Sequence, residues 1–155
     1  MAVSDELLGP ILRKVSRAFS LSLRVLPAAV RPQISLAYLL ARITDTIADT
    51  DLVLPEKRVE KLRQFRTRIR SAGAPPVDFS HLAREQNTEA ERMLLQHSGE
   101  AIALLDQTDA VDRGKIQLVL ETITRVQEQD LTRFDDGGEV RALETADDLD
   151  DYAYR

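Results

Sequence analysis

Apolar side chains recur along this chain at intervals of three and four residues, which is the period of an amphipathic α-helix. In residues 32–50, one such stripe consists of Leu36, Leu40, Ile43 and Ile47. Residues 56–71 repeat the pattern, with apolar side chains at Val59, Leu62, Phe65 and Ile69. The pattern predicts two amphipathic helices that turn these side chains into a core.

Capping residues indicate where further helices begin. The first helix is expected to follow Ser4 and to reach about residue 26. Thr88 and Glu91 form a capping box for a helix that continues through residue 104, and Asp109 begins a long helix to about residue 134. After the helix predicted over residues 56–71, residues 71–80 contain Gly and Pro and predict a loop.

Composition favours an all-α protein. The 155 residues include only 4 Phe, 3 Tyr and no Trp, and the abundant Leu, Ala, Glu, Arg and Gln suit helices better than strands. A formal net charge of -5 argues against nucleic-acid binding, and the absence of Cys excludes disulfides and thiolate sites. The sequence has no signal-peptide pattern and no membrane span, so we expect a cytoplasmic protein.

The second helix also carries a polar stripe, which consists of Tyr38, Arg42, Asp45 and Asp49. This stripe lies roughly 200° around the helix from the apolar one. The two aspartates are one turn apart near the helix C-terminus, where the helix dipole disfavours each carboxylate by about 0.3–1 kcal/mol. Compensation by Arg42, by a divalent cation such as Mg²⁺, or by solvent at an exposed face are the three interpretations that this pattern leaves open.

Two other charged patterns have alternative interpretations. The third helix is basic, with Lys57, Arg58, Lys61, Arg63, Arg66, Arg68 and Arg70. A solvated face is the favoured interpretation, and contact with an anionic membrane surface is the alternative. Asp130 shares a stripe with Ile116, Val119, Ile123 and Phe134. It therefore either faces a cavity or, as general frequencies favour, pairs with Arg133.

Three motifs resemble the squalene and phytoene synthase family, the head-to-head prenyl transferases of sterol, hopanoid and carotenoid biosynthesis. Residues 16–27, SRAFSLSLRVLP, are similar to the family's Ser-basic-x-Phe motif. Residues 39–50, LLARITDTIADT, resemble its first aspartate-rich motif, and LDDYAYR at residues 149–155 resembles the start of its Tyr-x-Tyr-x-Val-Ala-Gly segment. Because no second aspartate-rich motif follows, residues 1–155 are expected to be the N-terminal part of one prenyl synthase domain, truncated within the last segment.

The resemblance implies the all-α isoprenoid synthase fold and a set of site residues. Asp45 and Asp49 would be ligands of Mg²⁺, with Mn²⁺ as a substitute, and Arg42 would complete the catalytic set. The substrate-binding residues implied by the resemblance are Ser16, Arg17, Phe19, Tyr38 and Tyr152. Of these, Ser16 and Arg17 would contact diphosphate oxygens and Phe19 would face the prenyl chain.

The resemblance also implies a reaction, the condensation of two prenyl diphosphates through a cyclopropylcarbinyl diphosphate. We expect farnesyl diphosphate as substrate and a squalene-type product, which requires NADPH, whereas a phytoene or dehydrosqualene synthase is the alternative. The long prenyl chain makes peripheral membrane contact a further expectation. The isolated chain is expected to be inactive, with its missing half encoded downstream or in a second chain. A non-catalytic helical interaction module is the competing hypothesis.

Overall fold

A computed structural model of the chain describes residues 10, 11, 13, 14 and 16–135, with side chains described as far as residue 133. All regular structure in this part is α-helical, which confirms the predicted fold class. The seven helices delimited there are α1 (Arg17–Leu23), α2 (Arg31–Asp49), α3 (Pro55–Arg70), α4 (Ser80–Arg84), α5 (Glu89–Gln96), α6 (Ser98–Asp106) and α7 (Ala110–Asp135). None of these helices is long and apolar enough to cross a membrane. Thr145 and Asp148 form a further capping-box pattern, and the helix that this pattern predicts lies outside the described residues.

The first predicted helix does not run continuously to residue 26, because Ser16 interrupts it. Ser16 has an extended backbone (φ -158°, ψ 96°), and its side chain accepts a hydrogen bond of 3.2 Å from the Phe19 amide. It therefore acts as the N-cap of α1. The Arg31 guanidinium closes the other end of α1 by donating to the carbonyls of Leu23 and Leu26, at 3.1 and 2.8 Å.

The helix predicted from Thr88 is also divided in the structure. Its start is confirmed, since the Thr88 side chain accepts a hydrogen bond from the Glu91 amide at 3.2 Å. The helix then ends at His97, and α6 begins at Ser98. The buried Ser98 hydroxyl donates to the Leu95 carbonyl at 2.7 Å. A local side-chain bond of this kind competes with helical bonding, which explains why one predicted helix became two.

Helix α2 lies at the centre of the structure, because it contacts α3, α5, α6 and α7. The predicted apolar stripes of α2 and α3 are both buried. On α7 the predicted stripe needs one correction. Leu120 and Thr124 are buried beside Ile116, whereas Val119 is 52% exposed. The core-facing row of α7 therefore follows a spacing of four residues.

Arginines of α3 join this helix to α6 and α7. The Glu128 carboxylate of α7 accepts hydrogen bonds from Arg63 and Arg66, both at 2.6 Å. The Asp106 carboxylate of α6 accepts two bonds from Arg68, at 2.6 and 3.2 Å. The side chains of Arg66 and Arg68 are each only 13% exposed, so the interpretation of a solvated basic face is wrong for them. Together with Arg70, which binds Glu121 of α7, these arginines give the basic character of the helix a partly structural cause.

The Glu128 ion pair predicts a pH-dependent stability. Burial raises the pKa of Glu128, but the hydrogen bonds from Arg66 and Arg63 outweigh it and hold the pKa below its usual 4.5. The pair therefore stabilises the fold above pH 4.5, and this contribution is lost as the pH falls through the folded-state pKa. We expect Glu128→Gln to lower the free energy of unfolding by about 1.5–3 kcal/mol at pH 7, measured by urea denaturation.

The difference between the parent and Glu128→Gln should shrink as the pH falls below 4.5. Glu60→Gln is the matched control, because Glu60 is exposed and contacts Lys57 at 3.4 Å and Gln64 at 3.3 Å, both within its own helix, so this variant should leave stability nearly unchanged. A Glu128→Gln loss that stays constant between pH 7 and pH 3.5 would show that packing, rather than the ion pair, causes it.

Candidate functional site

Asp45 and Asp49 line the same cavity at the C-terminal end of α2, where the start of α3 and the end of α7 meet it. The cavity has a volume of about 470 Å³. Its walls are formed by Asp45, Ala48, Asp49, Pro55, Arg58, Gln127, Asp130 and Leu131. Carboxylates on two different helices face one space, and this arrangement suits a cation rather than an anion.

The Asp45 carboxylate lies in a position that disfavours its negative charge. Burial raises the pKa of Asp45, the Arg42 charge lowers it, the Asp49 charge raises it, and the hydrogen bond from Gln127 lowers it, with a net increase. Arg42 neutralises the site only in part, because its guanidinium is 3.9 Å from Asp45 and 3.7 Å from Glu91. Of the three compensations that the sequence leaves open, Arg42 contributes in part and solvent also contributes, because the Asp45 side chain is 45% exposed and Asp49 is exposed.

Gln127 of α7 holds Asp45 from the opposite wall of the cavity. Its Nε2 donates to Asp45 Oδ1 at 2.7 Å. Since a carboxylate only accepts hydrogen bonds, the amide nitrogen must face Asp45 and the amide oxygen must face elsewhere. That oxygen, Oε1, is buried and has no hydrogen-bond partner in the structure. An unpaired buried acceptor costs about 1–3 kcal/mol, so the orientation that serves Asp45 has a cost at the other end of the amide.

Arg58 of α3 caps the end of α2 that carries the aspartates. Its Nη1 donates to the Ala48 carbonyl at 2.6 Å, and its Nε donates to the Val53 carbonyl at 3.0 Å. On the core side, the hydroxyl of Thr50 accepts a hydrogen bond from Gln86 Nε2 at 2.9 Å. The end of the helix is therefore fixed from two sides. The positive charge of Arg58 at this position also offsets the negative end of the helix dipole.

The predicted substrate-binding residues near the N-terminus form a separate group. The Phe19 ring stacks on Tyr38, with ring centroids 3.8 Å apart and an angle of 12° between the planes. Ser16 caps α1, and Arg17 is exposed. None of these four side chains is among those that line the aspartate cavity. Tyr38 lies about 10 Å along α2 from Asp45, at 1.5 Å per residue.

The structure does not test the assignment of Ser16, Arg17, Phe19 and Tyr38 to substrate binding, so their role remains a prediction. Tyr152 lies outside the described residues. Asp130 lines the cavity, as the cavity-facing interpretation expects. Its predicted ion pair with Arg133 stays a prediction.

Sequence reasoning missed the roles of Gln127 and Arg58. Gln127 follows Ile123 by four residues and precedes Leu131 by four, so the available signal was a polar residue within an apolar row of α7. Arg58 had a weaker signal, its position one turn after the Pro55 that begins α3. Both side chains act across helix boundaries, which a single-helix pattern does not reveal.

The donor set fits Mg²⁺ as a partial site. Among the residues that the structure describes, no three His, Cys, Asp or Glu side chains come close enough to form a metal-binding group. Mg²⁺ is usually held by one or two carboxylates and completes its shell with water and phosphate oxygens. Asp45 and Asp49 line one cavity and would supply two carboxylates of this kind.

A comparison with family models gives a match over nearly the whole chain. The model of the squalene/phytoene synthase family matches residues 12–155. This chain belongs to the squalene/phytoene synthase family. Members of the squalene/phytoene synthase family are prenyl transferases of isoprenoid biosynthesis that act on prenyl diphosphates. Searches of curated proteins and of solved structures found no match to the chain.

The Arg58 cap predicts a local change in helix stability. We expect Arg58→Ala to lower the free energy of local opening at the end of α2 by about 1.5–3 kcal/mol, the usual loss for a charged hydrogen bond. Hydrogen exchange followed by mass spectrometry would show faster exchange in residues 46–50.

The matched control for this prediction is Arg113→Ala. Arg113 caps α6 in the same way, with Nη1 donating to the carbonyls of Asp106 and Thr108, both at 3.2 Å. This variant should accelerate exchange at the end of α6 and leave residues 46–50 unchanged. Equal protection of residues 46–50 in Arg58→Ala and in the parent would disprove the capping role.

Proposed function

We propose that this chain contributes the first carboxylate wall of a Mg²⁺-dependent head-to-head prenyl synthase. The reaction is the condensation of two molecules of farnesyl diphosphate through a cyclopropylcarbinyl diphosphate. The single observation that carries the proposal is that Asp45 and Asp49 line one cavity while the charge of Asp45 is incompletely compensated. Membership of the family supports the reaction class.

In this proposal, Asp45 and Asp49 bind Mg²⁺, and Mn²⁺ substitutes for it. The bound metal would stabilise the negative charge that develops on the departing pyrophosphate. Arg42 already lies within 3.9 Å of Asp45 and adds positive charge on the side of α2 that leads toward Tyr38. Ser16 and Arg17 are the proposed contacts for diphosphate oxygens.

The stacked rings of Phe19 and Tyr38 are proposed to contact the prenyl chain. Their faces offer an apolar surface that excludes water from a reactive cation. Aromatic faces also attract positive charge, by about 0.5–1 kcal/mol at exposed sites and more when water is absent. Tyr152 is proposed to join them at the mouth of the site.

We propose a squalene-type product, for which NADPH supplies the final reduction. A phytoene or dehydrosqualene synthase, which ends with loss of a proton, is the alternative within the family. A non-catalytic helical module is less favoured, because it has no use for two repelling carboxylates in a cavity.

The metal-binding proposal is tested by thermal unfolding with Mg²⁺ and inorganic pyrophosphate. For the parent we expect the two together to stabilise the fold by about 2.7 kcal/mol at a concentration one hundred times the dissociation constant. Asp45→Asn should abolish this gain. Without ligand it should stabilise the fold slightly, by about 0.2–0.5 kcal/mol, because a like-charge pair is removed.

Asp51→Asn is the matched control, since Asp51 is exposed, carries the same charge and does not line the cavity. It should respond to Mg²⁺ and pyrophosphate as the parent does. If the parent shows no response, the proposed metal site is wrong. If Asp45→Asn and Asp49→Asn both respond fully, binding occurs elsewhere on the chain.

A further inference from the structure

We infer that Arg31 is a positioning residue of the proposed prenyl site, because its guanidinium holds α1 along α2 and thereby keeps the Phe19 ring against Tyr38. The inference rests on the proposed function, which takes these two rings as contacts for the prenyl chain. Arg31 acts through the placement of α1 and not through contact with the substrate.

The first argument is the destination of the hydrogen bonds that the Arg31 guanidinium makes. Nε donates to the Leu23 carbonyl at 3.1 Å, and Nη2 donates to the carbonyls of Leu26 and Arg24 at 2.8 and 3.5 Å. These carbonyls lie at the C-terminal end of α1 and just after it, where a helix leaves its last carbonyls without helical partners. One planar, charged donor group of α2 therefore fixes the end of α1.

The second argument is that α1 depends on an anchor of this kind. The helix has only 7 residues, and isolated helices shorter than about 12–15 residues are marginal in water. Leu23 is its buried residue, and Phe19 is partly buried against the same core, whereas Arg17 and Leu21 are exposed. Few packing contacts thus fix the direction of α1, and the bonds from Arg31 lie at the end where packing begins.

The third argument is the position of Arg31 on α2. Arg31 precedes Tyr38 by two turns, so the two residues lie about 10 Å apart on the same side of α2, within about 20° of each other. Phe19 stacks on Tyr38, with ring centroids 3.8 Å apart, while Leu23 accepts a hydrogen bond from Arg31. The two helices therefore run in opposite directions, and these two contacts together set the register of α1 along α2.

Arg113 provides a matched control, because it makes the same kind of cap elsewhere. Its Nη1 donates to the carbonyls of Asp106 and Thr108 at the end of α6, both at 3.2 Å. The variants Arg31→Ala and Arg113→Ala each remove a guanidinium from the end of the preceding helix. Only the first should disturb α1.

The first measurement is near-ultraviolet circular dichroism of the tyrosines, which reports the packing of Tyr38. Phe19→Leu removes the stacked ring and supplies the reference change in the spectrum. We expect Arg31→Ala to reproduce most of this change and Arg113→Ala to give the spectrum of the parent. A parent-like spectrum for Arg31→Ala would overturn the inference.

The second measurement is isothermal titration calorimetry with Mg²⁺ and farnesyl thiodiphosphate, an analogue whose sulfur-linked diphosphate leaves poorly. Arg31→Ala should bind the analogue more weakly by about tenfold or more, the size of loss found when a group that orients a ligand-binding residue is removed. Arg113→Ala should bind it as the parent does. This readout separates positioning from a loss of stability, which both variants share.

A further variant, Arg31→Lys, separates the placement of α1 from the charge of the side chain. Lysine keeps the positive charge but lacks the planar fork that reaches several carbonyls at once. It should therefore bind the analogue more weakly than the parent does. Binding at the level of the parent would show that the charge alone suffices and would overturn the positioning role. This variant also serves if Arg31→Ala does not fold.

The outcomes distinguish this inference from the proposed function. If the parent binds the analogue and Arg31→Ala loses the stacked spectrum but binds equally well, the role of Arg31 is overturned and the proposed function stands. If the parent does not bind the analogue with Mg²⁺, the proposed function fails and the role of Arg31 falls with it.

Discussion

The arrangement of the site depends on two carboxylates at the C-terminal end of α2, where the helix dipole is already negative. The neighbouring helices compensate this charge incompletely. Arg58 reaches the carbonyls at the end of the helix rather than the aspartates, and Arg42 is divided between Asp45 and Glu91. The fold thus fixes the end of α2, while the pKa of Asp45 stays above its usual value. Structural rigidity and unsatisfied charge are combined at the same point, which is typical of functional sites.

The ion pairs between α3 and α7 determine which side of α7 faces the cavity. Arg63 and Arg66 bind Glu128 on one side of this helix. Gln127, the preceding residue, is rotated by about 100° and reaches Asp45 of α2. Weaker hydrogen bonds to Glu128 would therefore affect the site by allowing α7 to rotate, although Glu128 does not line the cavity. The basic character of α3 has a structural cause, and that cause connects directly to the site.

The sequence predicted those features that depend on one helix at a time. Helical periodicity predicted the buried rows of α2 and α3 and the shared stripe of Asp45 and Asp49. Proline and capping residues predicted the approximate limits of α2, α3 and α7. At Ser16 and Ser98, the serine side chain bonds to the local backbone and competes with helical hydrogen bonds. These breaks were missed because the composition of each segment gives only a weak sign of such a bond. The Arg58 cap and the Gln127 bond were missed because each joins two helices, and their pairing is decided by tertiary packing.

The charge of the cavity also constrains how a diphosphate could approach it. Asp45, Asp49 and Asp130 line the cavity together with Arg58, whose guanidinium already donates to backbone carbonyls, so the carboxylates would repel a diphosphate that arrived alone. Like charges about 4 Å apart repel by about 4 kcal/mol at an effective dielectric constant of 20. In the proposed reaction, the anion would therefore enter this space as a complex with a divalent cation, or after the cation has bound. The proposed function then includes metal dependence of substrate binding, and not only of bond cleavage.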